Sequence, residues 1–235
     1  MRLDKLLTAA GLTRAQAKRA VAEGRARVNG EAVRDAGLHV DGAEVLLDGR
    51  PVTEPGEVYW MLHKPAGVLT AVRDGREATA FALLPEAVRR QTPSPVGRLD
   101  KDVTGLLIFT THGELLHRLI SPKYAVEKVY IARVEGTPDE ADAQRLAAGI
   151  AFADFTSRPA QLEILGKGLV RLTVTEGRYH EVKRLLAAVG HPVTSLMREA
   201  MGGVRLDETL GAGESRPLTG AEIDALFRAA RLERN

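Results

Sequence analysis

The sequence of 235 residues contains no cysteine, which removes disulfide frameworks, thiolate zinc sites, iron–sulfur clusters and cysteine nucleophiles. It has no run of about 18 uncharged apolar residues, the length a membrane-spanning helix needs. Its opening, MRLDKLLTAAGLTRAQAKR, has neither a long apolar core nor a cleavage site. These absences predict a cytoplasmic protein that uses no membrane. The phosphate cradles are missing too: there is no GxxxxGK followed by Ser or Thr, and no GxGxxG opening a helix after a strand. ATP, NAD and Rossmann-bound methyl donors therefore lack a seat. No GxSxG elbow is present for acyl transfer. His180-Glu181 begins like the zinc signature HExxH, but its second histidine position is Arg184, so two imidazoles one turn apart do not exist.

What remains is ordinary globular composition, 44% hydrophobic and 27% charged, enough for one large domain and one small one. The net charge of +2 hides an asymmetry. Residues 1–30 carry seven basic side chains (Arg2, Lys5, Arg14, Lys18, Arg19, Arg25, Arg27) against two acidic ones, a local +5 that leaves the rest at −3. Such a footprint fits phosphates, although a solvated helix face has the same look.

Leu3, Leu6, Leu7 and Ala10 follow the i, i+3, i+4, i+7 pattern of an amphipathic helix closed by Gly11. Thr13 with Gln16 is a capping-box signal for a second helix ending at Gly24. Asn29-Gly30 and Asp48-Gly49 read as tight hairpin turns. A small basic module over 1–52 is thus expected, then a linker at 53–57 (TEPGE), where Pro and Gly interrupt the periodicity. A larger domain should fill 58–235. Strands are predicted over VYWMLHKP, GLLIFTT (105–111), EKVYIARV (127–134) and LVRLTVT (169–175). Helices are predicted after Thr137-Pro138, with Thr137 as cap, along Val182/Leu185/Leu186/Val189, and from Thr219. The fold class is α+β, a mixed and mainly antiparallel sheet flanked by helices.

Two segments carry candidate chemistry. In PVGRLDKDVTGLLIFT, Asp100 precedes a buried strand and should sit at a sheet edge, where loops hold functional groups on rigid support. An acid at 100 or 102 can equally be a turn-forming Asx residue. In EGRYHEVKRLLAAVGHPV, the apolar stripe turns inward, so Lys183 and Arg184 project from other faces of the helix. They read either as a solvated face or as partners for a carboxylate or phosphate.

GRLDxDxTGLLI, then SPKYAVEKVY, then EGRYHEVKR resemble in order and spacing the three motifs of bacterial rRNA pseudouridine synthases, in the small-subunit (RsuA-type) branch. The MRLDKLL opening, the basic second helix and the VNG hairpin are similar to the alpha-L RNA-binding module. The resemblance spans nearly the whole chain. It implies Asp100 as the essential carboxylate, Tyr130 as the ring that packs on a flipped uracil, and Lys183 as the cation paired with the aspartate. Arg98 and Lys64 match phosphate contacts, and Arg178 and Arg184 join Arg2, Lys5, Arg14, Lys18, Arg19 and Arg25 as expected RNA-binding residues. Asp102 is expected to matter little. The family reaction is an isomerisation of uridine without cofactor or metal, so ribosomal RNA is the expected partner, and a monomer needing no protein partner is expected. A non-catalytic RNA binder and an enzyme of large-subunit rRNA are the alternative readings.

Overall fold

The structure, a computed structural model, describes residues 1–53 and 56–234. Two of the linker residues expected at 53–57, Glu54 and Pro55, lie outside the described residues. The chain forms two compact units, one of residues 1–58 with 85–93 and one of residues 59–84 with 94–235. Each is described by itself.

In the first unit, α1 (Leu3–Ala9) and α2 (Arg14–Ala22) precede a four-stranded antiparallel sheet. Its strands are β1 (Ala26–Val28), β2 (Glu31–Ala32), β3 (Val45–Leu47) and β4 (Arg50–Pro51), in the order β2-β1-β3-β4. Thr13 and Gln16 close the expected capping box, worth about 1 kcal/mol. Both hairpins turn through the left-handed region, Asn29 and Gly30 at φ 51° and 84°, Asp48 and Gly49 at 52° and 77°. Leu3, Leu6, Leu7, Ala17, Val21, Ala26, Val40 and Val45 form the core. The short helix α3 (Glu86–Arg90) also belongs here, through Arg90 Nη1 donating to the Gly11 carbonyl at 3.0 Å.

The second unit is built on a nine-stranded sheet. In chain order its elements are β5 (Tyr59–Lys64), β6 (Ser94–Pro95), β7 (Thr104–Thr110), α4 (Gly113–Ile120), β8 (Lys128–Val134), α5 (Glu140–Ala148), β9 (Gln161–Gly166), β10 (Leu169–Val174), α6 (Glu181–Ala188), β11 (Val193–Met201), β12 (Val204–Arg205), β13 (Ser215–Pro217) and α7 (Gly220–Ala229). The order is β13-β5-β7-β11-β8-β10-β9, with β6 beside β7 and β12 beside β11. Among the described strands of this sheet β7 and β11 pair in parallel and the other pairs are antiparallel. Leu106 and Ile108 of β7 pack with Leu115, Leu119, Ile223, Leu226 and Phe227 from α4 and α7. Leu107 and Phe109, which point to the opposite face, are fully buried as well. That is why this strand reads as a continuous apolar run.

Two local expectations shift. The helix after Pro138 begins at Glu140, and its cap is Asp139 rather than Thr137, because the Asp139 carboxylate accepts from the Asp142 N–H while Asp142 reciprocates. Asp100 leads not to a sheet edge but to the end of an interior strand, since β11 covers β7 on the side away from β5.

The β7–β11 contact depends on Gly105. Its φ is +103°, and an added Cβ would fall 2.7 Å from the Arg198 backbone nitrogen and closer still to the Arg198 carbonyl. Both the backbone angle and the space exclude a side chain. Gly105→Ala is expected to cost about 3 kcal/mol or more, as severe backbone lesions do, read as a fall in the urea midpoint. A loss below about 1 kcal/mol would show that the strands separate easily.

Candidate active site

The loop Gly97–Val103 is fixed from below before it presents any functional group. The Thr70 hydroxyl donates to the Leu99 carbonyl at 2.7 Å, and the Leu99 N–H donates back to it at 3.1 Å. The Gly67 N–H donates to the Lys101 carbonyl at 2.8 Å. Beneath lies Lys64, which is 0% exposed. Its Nζ donates to the carbonyls of Val103 (2.8 Å), Pro65 (3.0 Å) and Lys101 (3.4 Å). Lys64 is therefore no phosphate contact: its donors are used and solvent cannot reach it. Burial lowers its pKa to about 8, with the charges of Asp102 and Asp100 opposing that fall.

The loop turns at Asp100, where the Val103 N–H donates to the Asp100 carbonyl at 3.2 Å. Across from it stands the first turn of α6, whose residues Val182, Leu185 and Leu186 are buried. Lys183 reaches back from that turn. Its Nζ lies 2.8 Å from both Asp102 carboxylate oxygens and 3.4 Å from Asp100 Oδ2. The expected Lys183–Asp100 pair exists, but Asp102 is the nearer partner, so Asp102 is not the bystander expected from sequence. Burial works against the Lys183 charge, yet the Asp102 hydrogen bond and both carboxylate charges leave its pKa raised. The same hydrogen bond lowers Asp102.

Asp100, Tyr130 and Lys183 line one cleft of about 400 Å³ with Arg98, Arg178 and His180. Its floor is the sheet. Tyr130 on β8 sits opposite Arg198 on β11 and Leu172 on β10, so their side chains share one face. A register shift between Arg198 and Ala200 re-aims that part of β11. Arg198 is 1% exposed; its Nε donates to the Leu106 carbonyl at 2.8 Å, and Nη2 has no hydrogen-bond partner among the described residues.

The family profile described as RNA pseudouridylate synthase matches residues 58–188, and the S4 domain profile matches residues 1–46. An uncharacterized RNA pseudouridine synthase of Bacillus subtilis is 40% identical over 234 residues, covering 96% of this chain and 98% of that one. Ribosomal small subunit pseudouridine synthase A of Escherichia coli is 41% identical over 229 residues, covering 95% and 98%. A crystal structure of pseudouridylate synthase shares 36% identity and a TM-score of 0.69, covering 96% of this chain and 99% of that one. The chain belongs to the RNA pseudouridylate synthase family.

In this pseudouridine synthase, sequence reasoning missed His180. Its Nε2 lies 3.4 Å from Asp100 Oδ2, and its backbone is left-handed at φ 52°. A histidine one residue before a helix carries no pattern that announces such a contact. The predicted RNA contacts divide by their surroundings. Arg98 is exposed and lines the cleft. Arg178 also lines it, but pairs with Glu176 at 3.2 Å and lies over Phe155. Arg184 is outside the cleft lining, paired with Asp154 and stacked over Phe152 and Phe155. In the first unit Arg2, Arg19 and Arg25 are paired with Asp4, Glu23 and Asp48. Lys5, Arg14 and Lys18 are exposed and have no ion pair among the described residues.

Glu181 borders the same cleft and is 6% exposed. Burial, helped by the charge of Glu176 and opposed by that of Lys128, raises its pKa from 4.5 to about 7. The folded chain thus holds a proton that the unfolded chain has released between these values. Stability must then fall as pH rises from 4.5 through 7. Glu181→Gln should remove that loss and exceed the wild type by on the order of 1–3 kcal/mol above pH 7, with the advantage fading toward pH 4.5. Urea titrations across the range check this; an advantage independent of pH would place its origin elsewhere.

Proposed function

We propose that this enzyme converts a uridine of small-subunit ribosomal RNA to pseudouridine, with Asp100 as the reacting carboxylate. The observation that carries the reading is Asp100 within 3.4 Å of both the Lys183 ammonium and the His180 imidazole, in a cleft that also holds Tyr130. The bond from the sugar's anomeric carbon to ring nitrogen 1 breaks and a bond to ring carbon 5 forms. The proton leaves carbon 5 and nitrogen 1 gains one, so atoms and electrons balance. Asp100 acts either as nucleophile at the anomeric carbon or as base toward a sugar proton. On either route the Lys183 ammonium stands beside it as a cationic partner, 3.4 Å away. The uridine leaves its stack at a cost of a few kcal/mol, which packing on Tyr130 partly offsets. Small-subunit rRNA is favoured because a relative 41% identical carries that substrate in its name.

Asp100→Asn should keep its fold and RNA affinity while turnover falls by several powers of ten, to below about 1% of wild type. Asp102→Asn should show an intermediate loss of roughly 10- to 100-fold, because Lys183 then loses its closest anchor and shifts relative to the reacting group. The substrate is checked by offering the enzyme small-subunit and large-subunit rRNA and mapping the product. Modification confined to the large subunit would overturn the substrate assignment and leave the reaction standing. Activity retained in Asp100→Asn would remove Asp100 from its role.

We further propose that residues 1–52 form a basic module that holds RNA through Lys5, Arg14 and Lys18, joined through 53–57 to the catalytic domain expected over 58–235, of which the stretch 85–93 groups with the first unit. Tethering raises the effective concentration of RNA at the cleft without new contacts there. Replacing Lys5, Arg14 and Lys18 by Ala should flatten the plot of log affinity against log salt by about 0.7–0.9 for each phosphate no longer neutralised. Arg19→Ala should change it less, since Glu23 holds that guanidinium at 2.7 Å. Equal slopes in all variants would take the module off the phosphate backbone.

A further inference from the structure

Aromatic side chains are scarce in this chain, with five Phe, four Tyr and one Trp, and one of them is left almost entirely in solvent. Tyr179 is 77% exposed, the most exposed large hydrophobic among the described residues and the only aromatic in that group. A single exposed ring ordinarily has no meaning. Three observations set this one apart. It lines the mouth of the cleft that holds Asp100. Its ring is stacked on His180, with centroids 3.7 Å apart and planes 20° from parallel. And His180, the ring behind it, is fixed by a left-handed backbone and by Asp100 at 3.4 Å. Non-glycine residues hold that conformation at a cost, and such residues gather at ligand sites.

The result is a rigid ring with an imidazole against one face. The neighbouring guanidinium of Arg178 does not cover it, being drawn over Phe155 at 4.3 Å and toward Glu176. Tyr130, by contrast, is 9% exposed on the floor. The cleft therefore offers aromatic surface at two depths, and the target uracil can use only the deeper one.

We infer that Tyr179, backed by His180, is a stacking platform for the nucleobase next to the target uridine along the RNA strand. When a uridine swings out of its stack, each neighbouring base loses a partner of its own. An exposed aromatic face beside the reacting sugar replaces one such partner, in a way that tolerates any base because every base has a π-face. Arg98, exposed on the cleft wall, supplies charge for the intervening phosphate. Ile120, 45% exposed, adds a second apolar surface at the rim. Tyr179 thereby sets which strand geometry around the uridine is accepted. The inference rests on the pseudouridine synthase reaction and not on which ribosomal RNA is the substrate.

The test combines Tyr179→Ala, Tyr179→Phe and Tyr179→Trp with RNA oligonucleotides spanning a uridine that the wild type modifies. The sequence is taken from whichever rRNA the mapping selects, so a failed small-subunit assignment leaves this test intact. Each oligonucleotide is used whole, or with an abasic ribose on the 5′ or the 3′ side of the uridine, and both affinity and turnover are measured. Tyr179→Ala should raise KM and Kd by about 5- to 150-fold, the range for removing the stack under one base, with kcat at saturation nearly unchanged. Phe and Trp should restore affinity. An abasic site on one side should cost the wild type a similar factor and cost Tyr179→Ala nothing more. Abasic losses equal in both proteins on both sides would overturn the platform, as would Tyr179→Phe behaving like Tyr179→Ala. Because the side chain is exposed, an unchanged melting curve for Tyr179→Ala separates a missing stack from a failure to fold.

Discussion

A lysine ammonium with no exposed surface holds together the loop on which the chemistry stands. Lys64 gives its three N–H groups to carbonyls at 65, 101 and 103, so the backbone on both sides of Asp102 is tied to the end of β5. A buried cation is normally a liability, because taking its charge out of water costs more than a hydrogen bond returns. Here the two carboxylates above it, Asp100 and Asp102, stabilise the charge that burial opposes. The ammonium that ties the loop backbone lies within the field of both loop carboxylates. Loop geometry and electrostatics thus have one origin.

The second constraint is the parallel contact between β7 and β11. It places Arg198 beside Gly105 and, on its other side, opposite Tyr130. The floor of the cleft and the loop that carries Asp100 are therefore two ends of one hydrogen-bonded sequence of strands. A parallel pair needs a long crossover, and the chain between β7 and β11 supplies α4, β8, β10 and α6 on the way. The helix bearing Lys183 is thereby delivered opposite the aspartate loop. The topology, more than any local motif, makes residues 100, 130 and 183 neighbours.

What can be read from the sequence divides along that line between local and nonlocal causes. The caps at Thr13 and Thr219, the Asn29-Gly30 and Asp48-Gly49 turns and the alternation in β8 and β10 are set within a few residues, and they are legible. The cap at Asp139 is not, because Thr137, Pro138 and Asp139 all carry helix-start signals, and only side-chain geometry chooses among them. Lys64 reads as a surface cation because its spacing cannot show that β7 and the Asp100 loop close over it. His180 and Asp102 escape for the same reason: each acts through a partner about 80 residues away in sequence or through the turn of a loop. The three motif residues are accessible through family resemblance, while composition and periodicity alone leave Asp100 an ordinary turn former.

Lys183 is shared between two carboxylates of the same loop. Two carboxylates on one loop repel, and a cation placed between them offsets that repulsion. Both Asp102 oxygens lie 2.8 Å from the Lys183 ammonium, and Asp100 Oδ2 lies 3.4 Å from it. Asp102, the nearer of the two, consequently anchors the ammonium beside Asp100. An arginine fork centred on Asp100 would occupy both of that residue's oxygens. The single point charge of lysine can instead be shared between two carboxylates of one loop, with Asp102 as its closer anchor.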